Sequence, residues 1–267
     1  MDQDLSPSGP IESVARRPDA VAVAAIMLAV IAAWAYLAGA FGTTAGMGDM
    51  PMADMDMAAP RLGGRWGGTE IVALWTMWAV MMVGMMLPSA APMILLFSKI
   101  GSARSTRGER HAPLLFFAGG YLTVWWGFSA FAAAVQYLLH STAALSPDMR
   151  AVSPTAGGLV LIAAGIYQWL PVKQICLRHC RTPFGFLSTS WREGRWGAVA
   201  MGLSHGSFCL GCCWMLMILL FVAGVMNLWW VGAISALVLL EKVLPAGPAI
   251  ARAAGVLLVG GGITLMV

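Results

Sequence analysis

Residues 70–97 read EIVALWTMWAVMMVGMMLPSAAPMILLF. After Glu70 no charged residue interrupts this run, and as a helix it is about 42 Å long. That exceeds the roughly 30 Å hydrocarbon core of a bilayer. Lipid offers no hydrogen bonds to backbone groups, so such a segment is expected to cross as an α-helix. Pro88 and Pro92 predict a kink in it. At 100° per residue, Met77, Met81 and Met85 fall within about 80° of arc, and Met82 and Met86 extend that side. The same stretch therefore announces both a membrane fold and a concentration of soft sulfur.

The rest of the chain repeats the pattern. Of 267 residues, 59% are hydrophobic and 10% charged, far from the roughly 25% charged of soluble domains. The expected fold is all-α, a polytopic transmembrane bundle of about seven spans, or six if the first is cleaved. The reading divides the chain into a cytoplasmic leader (1–19), a first anchor (20–42), an extracytoplasmic Met/Gly-rich loop (43–69) and a helical bundle (70–267). Within the bundle, spans are expected at about 70–97, 113–139, 154–171, 196–225, 228–244 and 249–267. The first run is long for a signal peptide and its leader carries Asp2, Asp4, Glu12 and Asp19, so it reads as an uncleaved anchor.

Charge sets orientation. With the N-terminus inside, thirteen of the sixteen Lys and Arg residues fall on cytoplasmic segments, and only Arg61, Arg65 and Arg150 fall outside. This follows the positive-inside rule. The net charge of +4 thus sits in short loops and is no nucleic-acid signal. The predicted location is a bacterial cytoplasmic (inner) membrane. Trp66, Trp125, Trp126, Trp169, Trp196, Trp229 and Trp230 are expected in interfacial belts.

The loop at 43–69 holds Met47, Met50, Met52, Met55 and Met57, interleaved with Asp49, Asp54 and Asp56. A Gly/Asp-rich segment without a core has no packing use for methionine. Thioether sulfur suits Cu(I), and the aspartates can attract cations or assist with Cu(II). In the span at 196–225, His205, Cys209, Cys212 and Cys213 cover about 100° of arc, with Met201 on the same face. Imidazole and thiolates there can bind Cu(I) or, alternatively, Zn(II). Buried cysteine also packs as a small hydrophobe, and methionine fills irregular gaps without any metal. Gly202 and Gly206 form a small-residue step for close helix approach, with the 70–97 helix as the expected partner. Cys176 and Cys180 would share one helical face in an inner loop, a candidate acceptor or exit site. The five cysteines give no disulfide framework. Glu241 and Lys242 read as an interfacial pair, with the lysine snorkelling to headgroups, and Gln168 as a polar group that bonds across helices.

Several of these stretches together resemble a bacterial family of predicted metal-binding integral membrane proteins, a domain of unknown function. They are Trp78–Met93 (WAVMMVGMMLPSAAPM), Gly120-Tyr121 with Trp125, and Gly165-Ile166-Tyr167-Gln168 followed by Pro171, Lys173, Cys176, Cys180 and Pro183. Gly211–Met215 (GCCWM) and Glu241-Lys242 complete the set. The resemblance covers roughly residues 70–248 and implies a helical membrane fold with metal binding. The Met47–Met57 loop lies outside it. A looser likeness joins the outer methionines and the membrane Met-x-x-x-Met to copper uptake channels, whose span number and loop order differ.

The leading functional expectation is a membrane Cu(I)-binding protein that captures the ion and transports or delivers it. The alternatives are a non-transporting metallochaperone or assembly subunit serving a copper-protein partner, and a membrane thiol oxidoreductase using Cys209, Cys212 and Cys213. No phosphate-binding loop or Ser-His-Asp set is present in the sequence. Membrane lipid is the expected surround, with no nucleic acid or nucleotide as partner.

Overall fold

The computed structural model describes residues 18–45, 67–104, 112–141 and 153–267. The methionines at 47, 50, 52, 55 and 57, and Trp66, lie outside the described residues. Those described residues form helices and no strand. In chain order the helices are α1 (Pro18–Ala45), α2 (Gly68–Arg104), α3 (Ala112–Ser141), α4 (Pro154–Tyr167), α5 (Pro171–Arg181), α6 (Pro183–Ser190), α7 (Gly194–Ile218), α8 (Leu220–Ala223), α9 (Leu228–Val243) and α10 (Gly247–Met266).

Five of them are long and apolar enough to cross a membrane, and α4 with α5 makes a sixth if that pair, bent by 62°, counts as one span. The sequence suggests about seven. The difference lies in α4, with 14 residues, and α9, with 16. At 1.5 Å per residue they reach about 21 and 24 Å, short of the bilayer core. The 154–171 segment ends as α4 because Pro171 starts a new helix and disfavours helical backbone before it. Helix α2 runs through both Pro88 and Pro92.

Helix α7 is the centre of the bundle. It packs along α3 on one flank and against α5 on another. The α3–α7 approach needs glycine. A Cβ at Gly202 would fall onto the Phe117 carbonyl, and one at Gly206 would meet Val124 Cγ2 at 2.9 Å and Tyr121 O at 3.1 Å. The small-residue step therefore faces α3 and not, as the sequence suggested, the methionine helix. The reason is complementarity: α3 brings Gly120, itself pressed on Val199 O, whereas α2 presents bulky methionines. Helix α2 still meets the bundle interior, where Met81, Met82, Met85 and Met86 are fully buried. Trp125, expected at an interface, is also fully buried, while Trp126, Trp169, Trp196, Trp229 and Trp230 are exposed.

One ion pair fastens the bent segment. Lys173 Nζ on α5 donates to Glu241 Oε2 on α9 at 2.7 Å, with both side chains buried, and it also donates to Gln168 Oε1. Arg181 adds a bond of 2.9 Å to the Pro245 carbonyl. Gln168 thus pairs with a side chain five residues on, across the bend between α4 and α5.

Three outcomes test this packing. Gly202→Leu should force α3 and α7 apart and cost about 1–3 kcal/mol or more, read as a lower unfolding midpoint in detergent. Gly119→Ala, with nothing within 4 Å of the added methyl, should leave the midpoint unchanged. Lys173→Met should cost about 3–5 kcal/mol because Glu241 is left buried without a partner, and adding Glu241→Leu should restore most of it.

Candidate metal centre

The cysteines of α7 and α5 face one another. Cys209, Cys212 and Cys213 are buried on α7, and Cys176 and Cys180 are half-buried on α5. Cys180 interacts with both Cys209 and Cys212, and Cys209 with Cys213. Cys176 interacts with Cys212, and its Sγ is close to Gly211, where an added Cβ would sit 2.8 Å away. The 176–180 pair, expected as a separate inner-loop station, is thus continuous with the thiols of the span. Proline-initiated α5 is what brings it there: it folds back along α7 instead of running out as a loop.

On the opposite side the thiols meet α2. Cys213 Sγ is 3.9 Å from Met86 Sδ. Met86 is the one methionine of Met77, Met81, Met82, Met85 and Met86 with a described thiol contact; the others continue the buried side of α2 beyond it. The Met86 carbonyl accepts from Ser89 Oγ at 2.9 Å and from Tyr121 OH at 3.2 Å. Tyr121 OH also lies 3.2 Å from Cys209 Sγ. Both Cys212 and Cys213 donate to the Cys209 carbonyl at 3.0 Å, which holds their sulfurs back against the helix.

Lys242 is the residue that the sequence reading misplaced. Instead of snorkelling, it is buried, and its Nζ donates to Cys209 Sγ at 2.8 Å and to Ser89 Oγ at 3.0 Å. The neighbouring Glu241 is anchored to Lys173. Ser89 and Tyr121 also escaped notice as site residues. One signal was available for Lys242: an ionisable residue in an apolar run is a functional candidate by default.

His205 sits one turn before Cys209. Its ring stacks on Tyr121 and Phe117, with centroids 5.6 and 6.3 Å away, and Phe186 lies at 6.0 Å. His205 Nδ1 is buried without a hydrogen-bond partner. An orphaned imidazole nitrogen beside thiols is a donor that a soft or borderline ion can satisfy.

Among the described residues no three His, Cys, Asp or Glu groups converge on one ion position. The arrangement is therefore a string of soft donors that can offer an ion two thiols at a time, with Met86 beside Cys213. Such a donor set fits Cu(I), which thiolate and thioether sulfur select, better than a hard ion wanting an oxygen cage.

No curated protein and no solved structure matches the chain. A family model described as PpoB2, copper chaperone, matches residues 75–265, a stretch that contains every described thiol, Met77 through Met86, His205 and Lys242. With well over half of its length covered by that match, the chain belongs to the PpoB2 copper chaperone family.

Proposed function

We propose that the protein is a membrane-embedded Cu(I) chaperone that holds the ion between thiols inside its helical bundle and hands it to a partner copper protein. What carries the reading is the continuity of sulfur: Met86 touches Cys213, Cys213 meets Cys209, and Cys209 and Cys212 meet Cys180 on α5. Cys209 and Cys213 form the holding pair, with Met86 as a thioether donor beside Cys213 and His205 one helical turn from Cys209. Cys180 and Cys176, half-buried on α5, form the exit. The five methionines at 47–57 capture the ion before it enters.

The chemistry is ligand exchange. A d¹⁰ ion imposes no geometry of its own, so each new sulfur can bind before the previous one leaves. The ion then moves along the string without ever being bare in an apolar interior, where an unpaired charge is strongly disfavoured. The protein supplies the ordering of the sulfurs, and the aromatic wall of Phe117, Tyr121 and Phe186 excludes water and oxidant from His205 and Cys209.

The buried methionine side of α2 favours a second reading, passage of the ion across the bundle. In proteoliposomes, the chaperone reading predicts Cu(I) that is bound but does not accumulate in the lumen. Lumenal accumulation that depends on Met81 and Met85 would assign transport instead.

Two further outcomes test the site. In anaerobic competition against a chromogenic Cu(I) chelator, Cys209→Ser with Cys213→Ser should weaken binding by more than the ~100-fold that outer partners alone are worth. Unchanged stoichiometry and affinity would remove this pair from the account. Cys176→Ser with Cys180→Ser should leave stoichiometry intact but slow release to a soluble Cu(I) acceptor roughly tenfold, about 1.4 kcal/mol of barrier. An unaltered stopped-flow release rate would exclude α5 as the exit.

A further inference from the structure

We propose that Lys242 sets the charge of the ion this site accepts, so that the thiols take monovalent soft ions and reject divalent ones of equal softness. The inference rests on the reading that Cys209 and its neighbours bind a metal. It concerns a specificity-determining residue that touches the ligand sulfur and not the ion.

The argument is a charge count in a place where charge cannot be left over. Three ionisable groups other than thiols reach this interior from α5 and α9. Lys173 and Glu241 form a close ion pair and cancel. Lys242 remains, and its bonds go to Ser89 on α2 and Cys209 on α7. Among the described residues no carboxylate forms an ion pair with it. The other groups around it are Tyr121 on α3, His205 on α7, and the sulfurs of Cys180, Cys212 and Cys213. The Lys242 ammonium thus depends on cysteine sulfur, Cys209 nearest, for its counter-charge.

A metal binds cysteine as thiolate. Since no three His, Cys, Asp or Glu groups converge on one position, an ion at this site meets a pair of thiolates. A monovalent ion with two thiolates is a unit of charge −1, and Lys242 neutralises it across the 2.8 Å contact with Cys209 Sγ. A divalent ion with two thiolates is neutral, and it leaves the Lys242 ammonium buried without a counter-charge. An uncompensated buried charge is strongly unfavourable. Recruiting a third thiolate would restore the balance, but Cys212, the α7 thiol outside the holding pair, is turned to the Cys209 carbonyl, and Cys180 comes from a separate helix, α5. The selection thus comes from a pair of sulfurs and one fixed cation acting together. Softness alone would admit Ag(I) and Cd(II) alike.

The test uses those two ions, which share an affinity for thiolate and differ in charge. Full-length protein in detergent is titrated anaerobically with Ag(I) or Cd(II) against a thiol competitor. Wild type should bind Ag(I) and exclude Cd(II). Lys242→Met and Lys242→Gln, each checked for a wild-type-like unfolding transition, should lower the Ag(I)/Cd(II) affinity ratio about tenfold or more, because the neutral interior then favours the neutral Cd(II)–dithiolate unit. A ratio unchanged in either folded variant overturns the proposal while leaving metal binding intact. Should neither variant fold, wild type decides alone: stoichiometric Cd(II) uptake that Cys209→Ser abolishes overturns the proposal, and its exclusion supports it. Wild type that binds neither ion through Cys209 overturns the metal-site reading and this inference with it.

Discussion

A lysine ammonium buried in an apolar bundle needs a negative or strongly polar partner, and the partner that Lys242 reaches is a cysteine sulfur. Much of the interior follows from accommodating that contact. Ser89, on the proline-containing stretch of α2, supplies the second acceptor. Tyr121 on α3 closes over the same sulfur. Glu241, one residue before Lys242, is drawn the other way to Lys173, which ties α9 to α5 and fixes α5 along α7. Two adjacent charged residues on one short helix thereby hold elements from both sides of the bundle around a single sulfur.

In lipid, association between helices gains little from hydrophobicity, since the tails are as apolar as leucine, and close packing with a few polar contacts does the work. The chain shows both parts. Glycines at 120, 202 and 206 bring α3 and α7 to backbone contact, which seats His205 among aromatic rings and turns Cys209 toward the middle. On the remaining flank the bulky, unbranched methionines of α2 fill the irregular space beside the thiols. A methionine such as Met86 can serve packing and ligation at once, because its flexible thioether meets both demands.

The legible part of this architecture was the part carried by periodicity and composition. An all-helical membrane fold follows from the apolar runs, and the shared face of His205, Cys209, Cys212 and Cys213 follows from helical spacing alone. Span count was harder, because α4 and α9 are apolar yet too short to cross by themselves, and hydropathy does not report where a helix bends. Partnership between helices was illegible. The Gly202–Gly206 step shows that something packs closely, but only the fold reveals that Gly120 on α3 answers it. Likewise, Cys176 and Cys180 looked like a loop station, since nothing local indicates that α5 folds back onto α7. Lys242 was misjudged for a related reason: snorkelling is a sound default for a lysine near a helix end, and the pull of Cys209 and Ser89 is long-range information. Methionines 47–57, prominent in the sequence, lie outside the described residues and remain tied to the site only through the proposed capture step.

The central claim is that sulfur from α7, with its neighbours on α2 and α5, holds Cu(I) inside the bundle. X-ray absorption at the copper edge of the anaerobically Cu(I)-loaded, full-length protein tests it most directly. The account predicts a low-coordinate Cu(I) edge and a first shell in which sulfur outnumbers nitrogen and oxygen, with that sulfur signal lost when Cys209 and Cys213 are both replaced by serine. A first shell made mainly of oxygen or nitrogen, or a sulfur shell untouched by those replacements, would contradict it.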